Sequence, residues 1–457
     1  MNTRPHLLVA DIGTSSLKAG IIDRTGNLIW SYRHPLLTHE TQLRQWDPQI
    51  WSDGLKAVGS CLPAEPIDGI VFSGNGPTLV PLDANRRPTA PVLLWIDGNS
   101  HWKPSTDSFY LPKTAWFQAA SPEAFRKTRR FLSCPEYLSF LLTGEEASIS
   151  PQPEFDRFLW DQDQIRVYGL SPELFPTILR PGSCIGVVTD QASSEFGLPR
   201  GVRVFAGGSD FMMSLIGTGC IEPGMTCDRA GTSEGINYCS PGVVENSQVR
   251  CLPHAIPGLY NVAGILSSTG RIFEWFRRFS GQSARSYEEM IKDIEAVQDW
   301  SDQPFFYPAV HEGERFDFNH ASFTNLSPVH GSAEMGRAVV EAIGFTIRQV
   351  KQILHDVGCS VDTLRVCGGQ AKNLRWNQMK ANMINSVIEI PKIQDAELLG
   401  CAIEGFIGLK EFHSYREAVD ELVKIEYVIK PQSSWVPRYE QRFEQYELGF
   451  RSIAEGR

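Results

Sequence analysis

Ten cysteines stand at 61, 134, 184, 220, 227, 239, 251, 359, 367 and 401, but none forms a Cys-x-x-Cys pair. The usual sequence signature of a zinc or thiol-redox site is therefore missing. Several of them lie in apolar, strand-like text, which suits buried free thiols in a reducing compartment. No apolar run is long enough to span a bilayer, and Met1-Asn-Thr-Arg-Pro-His6 lacks the pattern of a signal peptide. A cytoplasmic location is expected. Basic excess is missing too: 43 Lys and Arg against 53 Asp and Glu give a formal charge of −10. That balance argues against a nucleic-acid binder, since phosphate backbones select for excess Lys and Arg. Low-complexity stretches are absent. With 42% hydrophobic and 21% charged residues, the composition is that of a well-packed chain rather than a disordered one. A chain of 457 residues is too long for one ordinary core and points to two domains of roughly 200 residues each.

What is present is a set of glycine-rich turns, each following a strand-like run. Leu7-Leu-Val-Ala10 leads into Asp11-Ile-Gly-Thr-Ser-Ser-Leu-Lys18. A glycine there lets the backbone approach a ligand, while the Thr and Ser hydroxyls and nearby N–H groups can grip an anion. A carboxylate among phosphate-binding groups repels its ligand unless a cation lies between them, so the local reading is metal-nucleotide binding. The bland alternative is a hairpin turn with a capped end. Related turns recur at Gly207-Gly-Ser-Asp210, Gly231-Thr-Ser233 and Gly368-Gly-Gln-Ala-Lys-Asn373. Four such turns are what a two-lobed nucleotide site would require.

These motifs, together with Glu312-Gly-Glu-Arg315, resemble in order and spacing those of the FGGY carbohydrate kinases, a group that includes xylulokinase, ribulokinase and glycerol kinase. The resemblance runs from about Leu7 to Ala418 and extends to Trp46-Asp-Pro, Leu94-Trp-Ile-Asp97, Tyr137-Leu-Ser-Phe-Leu-Leu-Thr-Gly144 and Ala396-Glu-Leu-Leu-Gly-Cys-Ala402. It implies an α/β protein of two ribonuclease H-like domains, of the actin and hexokinase ATPase type, with a cleft between them. Residues 1–222 would form the N-terminal FGGY-type domain, carrying the sugar site, the first phosphate turn and the catalytic Asp. Residues 223–457 would form the nucleotide-binding C-terminal domain, with Ile221-Glu-Pro-Gly224 as the boundary.

Periodicity and turn signals place strands over 7–10, 17–23, 28–33 and 67–73, with a helix over 48–61. Loops are expected at 161–163 and 180–183, and a strand over 202–206 should close the first lobe. Further on come a strand over 258–265 and a helix over 270–279. A helix over 333–357 should present Val340, Ile343, Ile347, Val350 and Leu354 on one face, ahead of a strand over 363–367. A last helix over 396–408, rich in small residues, could approach a neighbour closely. The only repeat suspected is the duplicated lobe itself.

The resemblance also implies roles. Asp210 accepts the proton of the attacking hydroxyl and touches the sugar; its alternative is a cap on the helix that follows. Asp11 is assigned to Mg²⁺ through water, the alternative being a turn-stabilising Asx residue. Thr14, Ser15 and Lys18 should face the β- and γ-phosphates of ATP, though Lys18 could equally be an exposed strand residue. Gly231, Thr232 and Ser233 form the matching turn of the second lobe, and Gly270 is the next nucleotide glycine. Gly369, Gln370 and Asn373 would wrap the adenosine, where a plain loop is the alternative. Residues 312–315 read as a lobe-lobe ion-pair element or a solvated run.

The chain departs from the family at Asn75-Gly-Pro77, where xylulokinases carry Gln-Met-His and glycerol kinases Gln-Arg-Glu. Asn75, Gly76 and Pro77 are still placed at the sugar, with Trp95 bordering it or else sitting in the core. The expected activity is ATP-dependent phosphorylation of a sugar or polyol hydroxyl, with a ketopentose such as xylulose as acceptor. The alternative is a degenerate sugar- or nucleotide-binding regulatory paralogue. Expected partners are the small-molecule sugar or polyol and ATP with Mg²⁺, with no nucleic acid and no membrane; a homo-oligomer is left open.

Overall fold

Strand β1 (His6–Ile12) is buried on both faces, which is why residues 7–10 read as a continuous apolar run rather than an alternating one. In the computed structural model, residues 5–36, 46–94, 106–231, 234–266, 269–297, 300, 302–311 and 316–455 are described. Trp95, Thr232, Ser233 and residues 312–315 lie outside them. The chain divides into two units, the first comprising Met1–Ile221, Pro253–Pro257 and Ala396–Val423.

In the first unit β1 pairs antiparallel with β2 (Ser16–Asp23), which pairs antiparallel with β3 (Leu28–Pro35). The chain then forms α1 (Gln49–Ser60) and returns as β4 (Gly69–Gly74), parallel to β1. Trp51, Leu55 and Val58 on α1 are fully buried, each worth about 1.5–3 kcal/mol over exposure. The edge is made by β5 (Cys184–Val187), antiparallel to β6 (Arg203–Ser209), which lies parallel to β4. The sheet order is β3-β2-β1-β4-β6-β5. Expected elements before residue 75 fall within two residues of those observed. Residues 161–163 are not a plain loop: Asp161 caps the helix Gln162–Val167, its carboxylate accepting from the Gln164 amide at 2.8 Å. The strand expected over 202–206 is β6, the last strand of this sheet in chain order, and runs on to Ser209.

The second unit comprises Glu222–Leu252, Gly258–Asp395 and Lys424–Arg457. Its sheet contains β7 (Thr226–Ala230), β8 (Glu234–Ser240), β9 (Arg250–Pro253), β10 (Tyr260–Leu266), β11 (Thr363–Cys367), β12 (Val387–Pro391) and β13 (Ile425–Ile429). Their order is β9-β10-β8-β7-β11-β12-β13. Strands β7, β8 and β10 form an antiparallel meander, β11 and β12 add in parallel, and β13 closes antiparallel. Setting β9 aside, this is the pattern of the first sheet. The duplicated architecture is therefore visible in topology although no sequence repeat shows it. Helices α3 (Thr269–Phe279), α4 (Ser332–Asp356) and α5 (Leu374–Ile384) cover this sheet. On α4, Val340, Ile343, Ile347, Val350 and Leu354 are all buried, as their spacing predicts.

A division of the chain at 222/223 alone has no place for α6 (Ala396–Gly408), which follows the second unit's strands yet belongs to the first unit. It packs there on β1, β4 and β6, and on the helix α2 (Asp210–Gly217).

Candidate active site

Asp11 lies within β1, opposite Lys18 on β2 and beside Ser73 on β4. It is 3% exposed, and the Ser73 hydroxyl donates to its Oδ1 at 2.7 Å. Burial pushes its carboxyl up to about 7; Glu397 and Asp210 add to the rise, while Lys18 and the Ser73 hydrogen bond oppose it. Glu397, also buried, stands in the first turn of α6 and was not anticipated from sequence. Its contribution arises only because α6 returns to the first unit. The turn between β1 and β2 closes through Gly13 N–H donating to the Ser16 carbonyl at 3.0 Å. Thr14 is half-buried, Ser15 exposed and Lys18 half-buried.

Asp210 is placed by a glycine-dependent bend. A Cβ on Gly207 would stand 2.1 Å from the Phe72 carbonyl oxygen, so only glycine lets β6 run this close to β4. The β6–β4 register shifts between Phe205 and Gly208, and the chain then turns into α2. Asp210 is the first residue of that helix; Ser209 occupies the cap position and uses no side-chain bond there. The Asp210 Oδ1 accepts from the Phe211 amide at 2.7 Å, so part of the capping role coexists with a half-buried carboxylate.

The first unit holds a pocket with about 520 Å³ of space outside the atoms, part of it open to solvent, which reaches Ser209 and Met212 on either side of Asp210 although Asp210 itself is not among its lining residues. Its polar lining includes Asn75, Tyr110, Ser133 and Ser209; Met212, Met213 and Phe155 are among its apolar walls. Asn75 is 5% exposed, and its Nδ2 has no hydrogen-bond partner among the described residues. A buried amide left in that state is costly unless a ligand completes it. Gly76 lines the same pocket, while Pro77, half-buried, is not among the lining residues. A Cβ on Gly76 would stand 3.6 Å from the Tyr110 hydroxyl and 3.4 Å from the Ser209 Cβ. Tyr110 thus brings a phenol to the space beside Gly76. Sequence reasoning missed it, because nothing local ties residue 110 to residue 76. Burial, then Glu136 and Asp210, holds that phenol in its neutral, hydrogen-bonding form.

No cluster of three His, Cys, Asp or Glu side chains forms a metal cage among the described residues. Mg²⁺ bound with phosphates needs no such cage: one or two carboxylates, waters and phosphate oxygens suffice. Asp11, buried and pressed by two neighbouring carboxylates, fits that arrangement because a cation would relieve the repulsion.

In the second unit the predicted nucleotide residues fall on the ends of β7, α3 and β11. Gly231 is exposed just after β7, Gly270 is the second residue of α3, and Gly368 follows β11 with φ +82°. That backbone angle suits glycine alone, and a Cβ there would meet the Ala230 carbonyl at 2.7 Å. Gly369 is exposed, with nothing within 4 Å of a Cβ position. Gln370 is engaged on both sides: it donates to Glu234 Oε2 at 3.2 Å and accepts from Trp376 Nε1 at 2.7 Å. Asn373 caps α5, its Oδ1 accepting from the Trp376 amide at 2.9 Å. Sequence reading also missed the buried group behind these turns. Lys380 Nζ lies 2.7 Å from both Asp228 Oδ2 and Glu234 Oε1, and all three side chains are fully buried. They are separated by up to 152 positions, so no local pattern reveals them.

The N-terminal domain model of the FGGY family of carbohydrate kinases matches residues 6–104 and 103–217, and its C-terminal domain model matches residues 229–409. A xylulose kinase of Bacillus subtilis is 25% identical over 481 residues, covering 97% of this chain and 96% of the relative. One from Lactococcus lactis subsp. lactis is 27% identical over 498 residues, covering 98% and 97%. Among solved structures, a ligand-bound xylulose kinase from Lactobacillus acidophilus superposes with a TM-score of 0.83 at 20% identity, over 98% of each chain. No described helix is long and apolar enough to cross a membrane.

Proposed function

The chain belongs to the FGGY family of carbohydrate kinases, and from that premise we propose that its acceptor is a ketopentose such as xylulose or a closely related carbohydrate. It phosphorylates a sugar hydroxyl at the expense of ATP. The degenerate, non-catalytic alternative finds no support in the relatives, which are named as kinases. The observation that carries the acceptor reading is the pocket of the first unit, where Asn75 and Tyr110 offer hydrogen bonds next to Asp210.

Phosphoryl transfer asks little covalent chemistry of a protein and depends on positioning and charge stabilisation. In this reading Asp210 aligns the attacking hydroxyl and takes its proton. Asp11 would hold Mg²⁺, which supplies neutralisation of the phosphate charge when bound. The turn residues Thr14 and Ser15, with Lys18, meet the transferred phosphate from the first unit. Gly231, Thr232, Ser233, Gly270, Gly369, Gln370 and Asn373 serve the nucleotide in the second. Asn373 and Gln370 do so while holding α5 and Glu234, so they present backbone as much as side chain. Ten free cysteines, seven of them buried, suit a reducing cytoplasmic setting.

A coupled ADP-release assay with Mg²⁺ over pentuloses, hexuloses, aldoses and polyols tests the reading. The expected result is ADP release that depends on sugar and is fastest with a ketopentose. If no ketose raises ADP release above the sugar-free rate, the acceptor assignment fails.

A further inference from the structure

Three titratable side chains in a core are an expensive way to fill it. Buried ion pairs often add less stability than apolar groups of the same volume, which leaves a positional role to be sought. Lys380 reaches from α5 to Asp228 on β7 and Glu234 on β8, the strands on either side of the connection that contains Gly231. Glu234 begins β8 and pairs across to Ala230, the last residue of β7. Its second oxygen accepts from Gln370, in the glycine-rich turn after β11. The Thr269 side chain, next to Gly270, lies beside the same carboxyl. One carboxylate therefore touches or adjoins all three segments assigned to the nucleotide.

The charges divide unevenly. Burial and the neighbouring Glu234 raise Asp228 well above the ordinary carboxylate range. Against burial, Lys380 holds Glu234 below it. Of the two acids Asp228 is therefore the more readily protonated, and Glu234 the one that Lys380 holds charged.

We propose that Lys380 is a positioning residue for the nucleotide site: by neutralising Glu234 it fixes the facing ends of β7 and β8 against the Gly368–Gln370 turn without presenting a bare negative charge to a phosphate. This rests on the nucleotide assignment made above. Lys380 itself is fully buried and is not a phosphate ligand.

The test measures the dissociation constant of a non-hydrolysable ATP analogue together with KM for ATP and for sugar. Lys380→Met is expected to weaken analogue binding and raise KM for ATP at least about tenfold. The sugar KM should stay within about twofold, since the sugar pocket lies in the other unit. Asp228→Asn, isosteric with the protonated acid, should leave nucleotide binding within about twofold. The double variant Lys380→Met/Glu234→Gln removes both charges and should recover part of the lost affinity. A folded Lys380→Met protein that binds the analogue like wild type overturns the proposal, and so does an Asp228→Asn protein impaired as severely as Lys380→Met. Should Lys380→Met fail to fold, the double variant decides: nucleotide binding weaker than wild type with unchanged sugar KM supports the role, and binding equal to wild type ends it. Wild-type protein that binds no ATP analogue would instead refute the nucleotide assignment itself.

Discussion

A Cβ on Gly400 would stand 2.0 Å from the Met213 carbonyl oxygen. The contact is reciprocal, since a Cβ on Gly217 would lie 1.9 Å from the Ala396 carbonyl. Helices α2 and α6 thus meet backbone to backbone, through glycines on both sides. Helix α2 begins with Asp210, and α6 brings Glu397 toward Asp11. Gly400→Val should force the helices apart and destabilise the protein by about 1–3 kcal/mol or more, with activity lost in parallel. Urea denaturation followed by fluorescence measures this; an unchanged midpoint would show that the helices can separate freely.

Replacement of the proposed base, Asp210, should separate binding from chemistry. Asp210→Asn keeps shape and the Phe211 amide contact, so nucleotide and sugar affinities should hold. The expected fall in kcat is on the order of 10²–10⁴-fold, the range for losing a positioned general base. Near-normal turnover would leave Asp210 as a helix-start residue only.

Asp11, the proposed Mg²⁺ residue, carries a structural cost. Buried beside Glu397 and Asp210, its negative charge is unfavourable in the ligand-free protein. Asp11→Asn, still able to accept from Ser73, should abolish Mg²⁺-dependent turnover while the melting temperature stays level or rises. Loss of folding in that variant would assign Asp11 to the architecture instead.

The first sheet was legible because its turns are short and its strands near-continuous in apolar residues, as in Leu7 to Ile12. The place of Asp210 at a strand-to-helix turn was legible because two glycines and a strand announce that turn. What stayed hidden depends on distant chain segments. Glu397 reaches Asp11 only through the return of α6, and Tyr110 meets Gly76 from an irregular region where helix signals are weak. Lys380 reads as an ordinary helix residue until Asp228 and Glu234 are folded against it. Gln162 and Asp163 read as loop in the sequence because a six-residue helix offers too few positions for a period to show.

Glu404 predicts a pH dependence of stability. It is fully buried on α6, and the Tyr415 hydroxyl donates to its two oxygens at 2.9 and 3.0 Å. Burial pushes its carboxyl from 4.5 up to about 8, only partly opposed by Tyr415. The folded state therefore holds this proton where the unfolded chain has released it. Its contribution is complete below about pH 4.5 and is lost as pH rises toward 8. Glu404→Gln removes that titration, so the variant should gain stability relative to wild type between pH 5 and pH 8. Parallel stability curves over that range would mean that Glu404 titrates normally.

Specificity should reside in Tyr110 and Asn75 rather than in residues 76 and 77. Gly76 has no side chain and Pro77 offers only its carbonyl, yet the Tyr110 hydroxyl stands 3.6 Å from where a Gly76 Cβ would be. A site that hydrogen-bonds a substrate hydroxyl rejects analogues that misplace it, because its own polar groups are then left unpaired. Tyr110→Phe should lower kcat/KM for the preferred pentulose by roughly threefold to tenfold, the worth of one neutral hydrogen bond. It should also narrow the difference between pentulose epimers. Gly76→Met adds a chain beyond the Cβ into the space beside Tyr110 and should raise the sugar KM without changing the KM for ATP. Steady-state kinetics on paired epimers distinguishes the outcomes. If Tyr110→Phe keeps the epimer ratio and Gly76→Met keeps the sugar KM, the acceptor does not occupy this pocket, and its hydroxyl reaches Asp210 by another face.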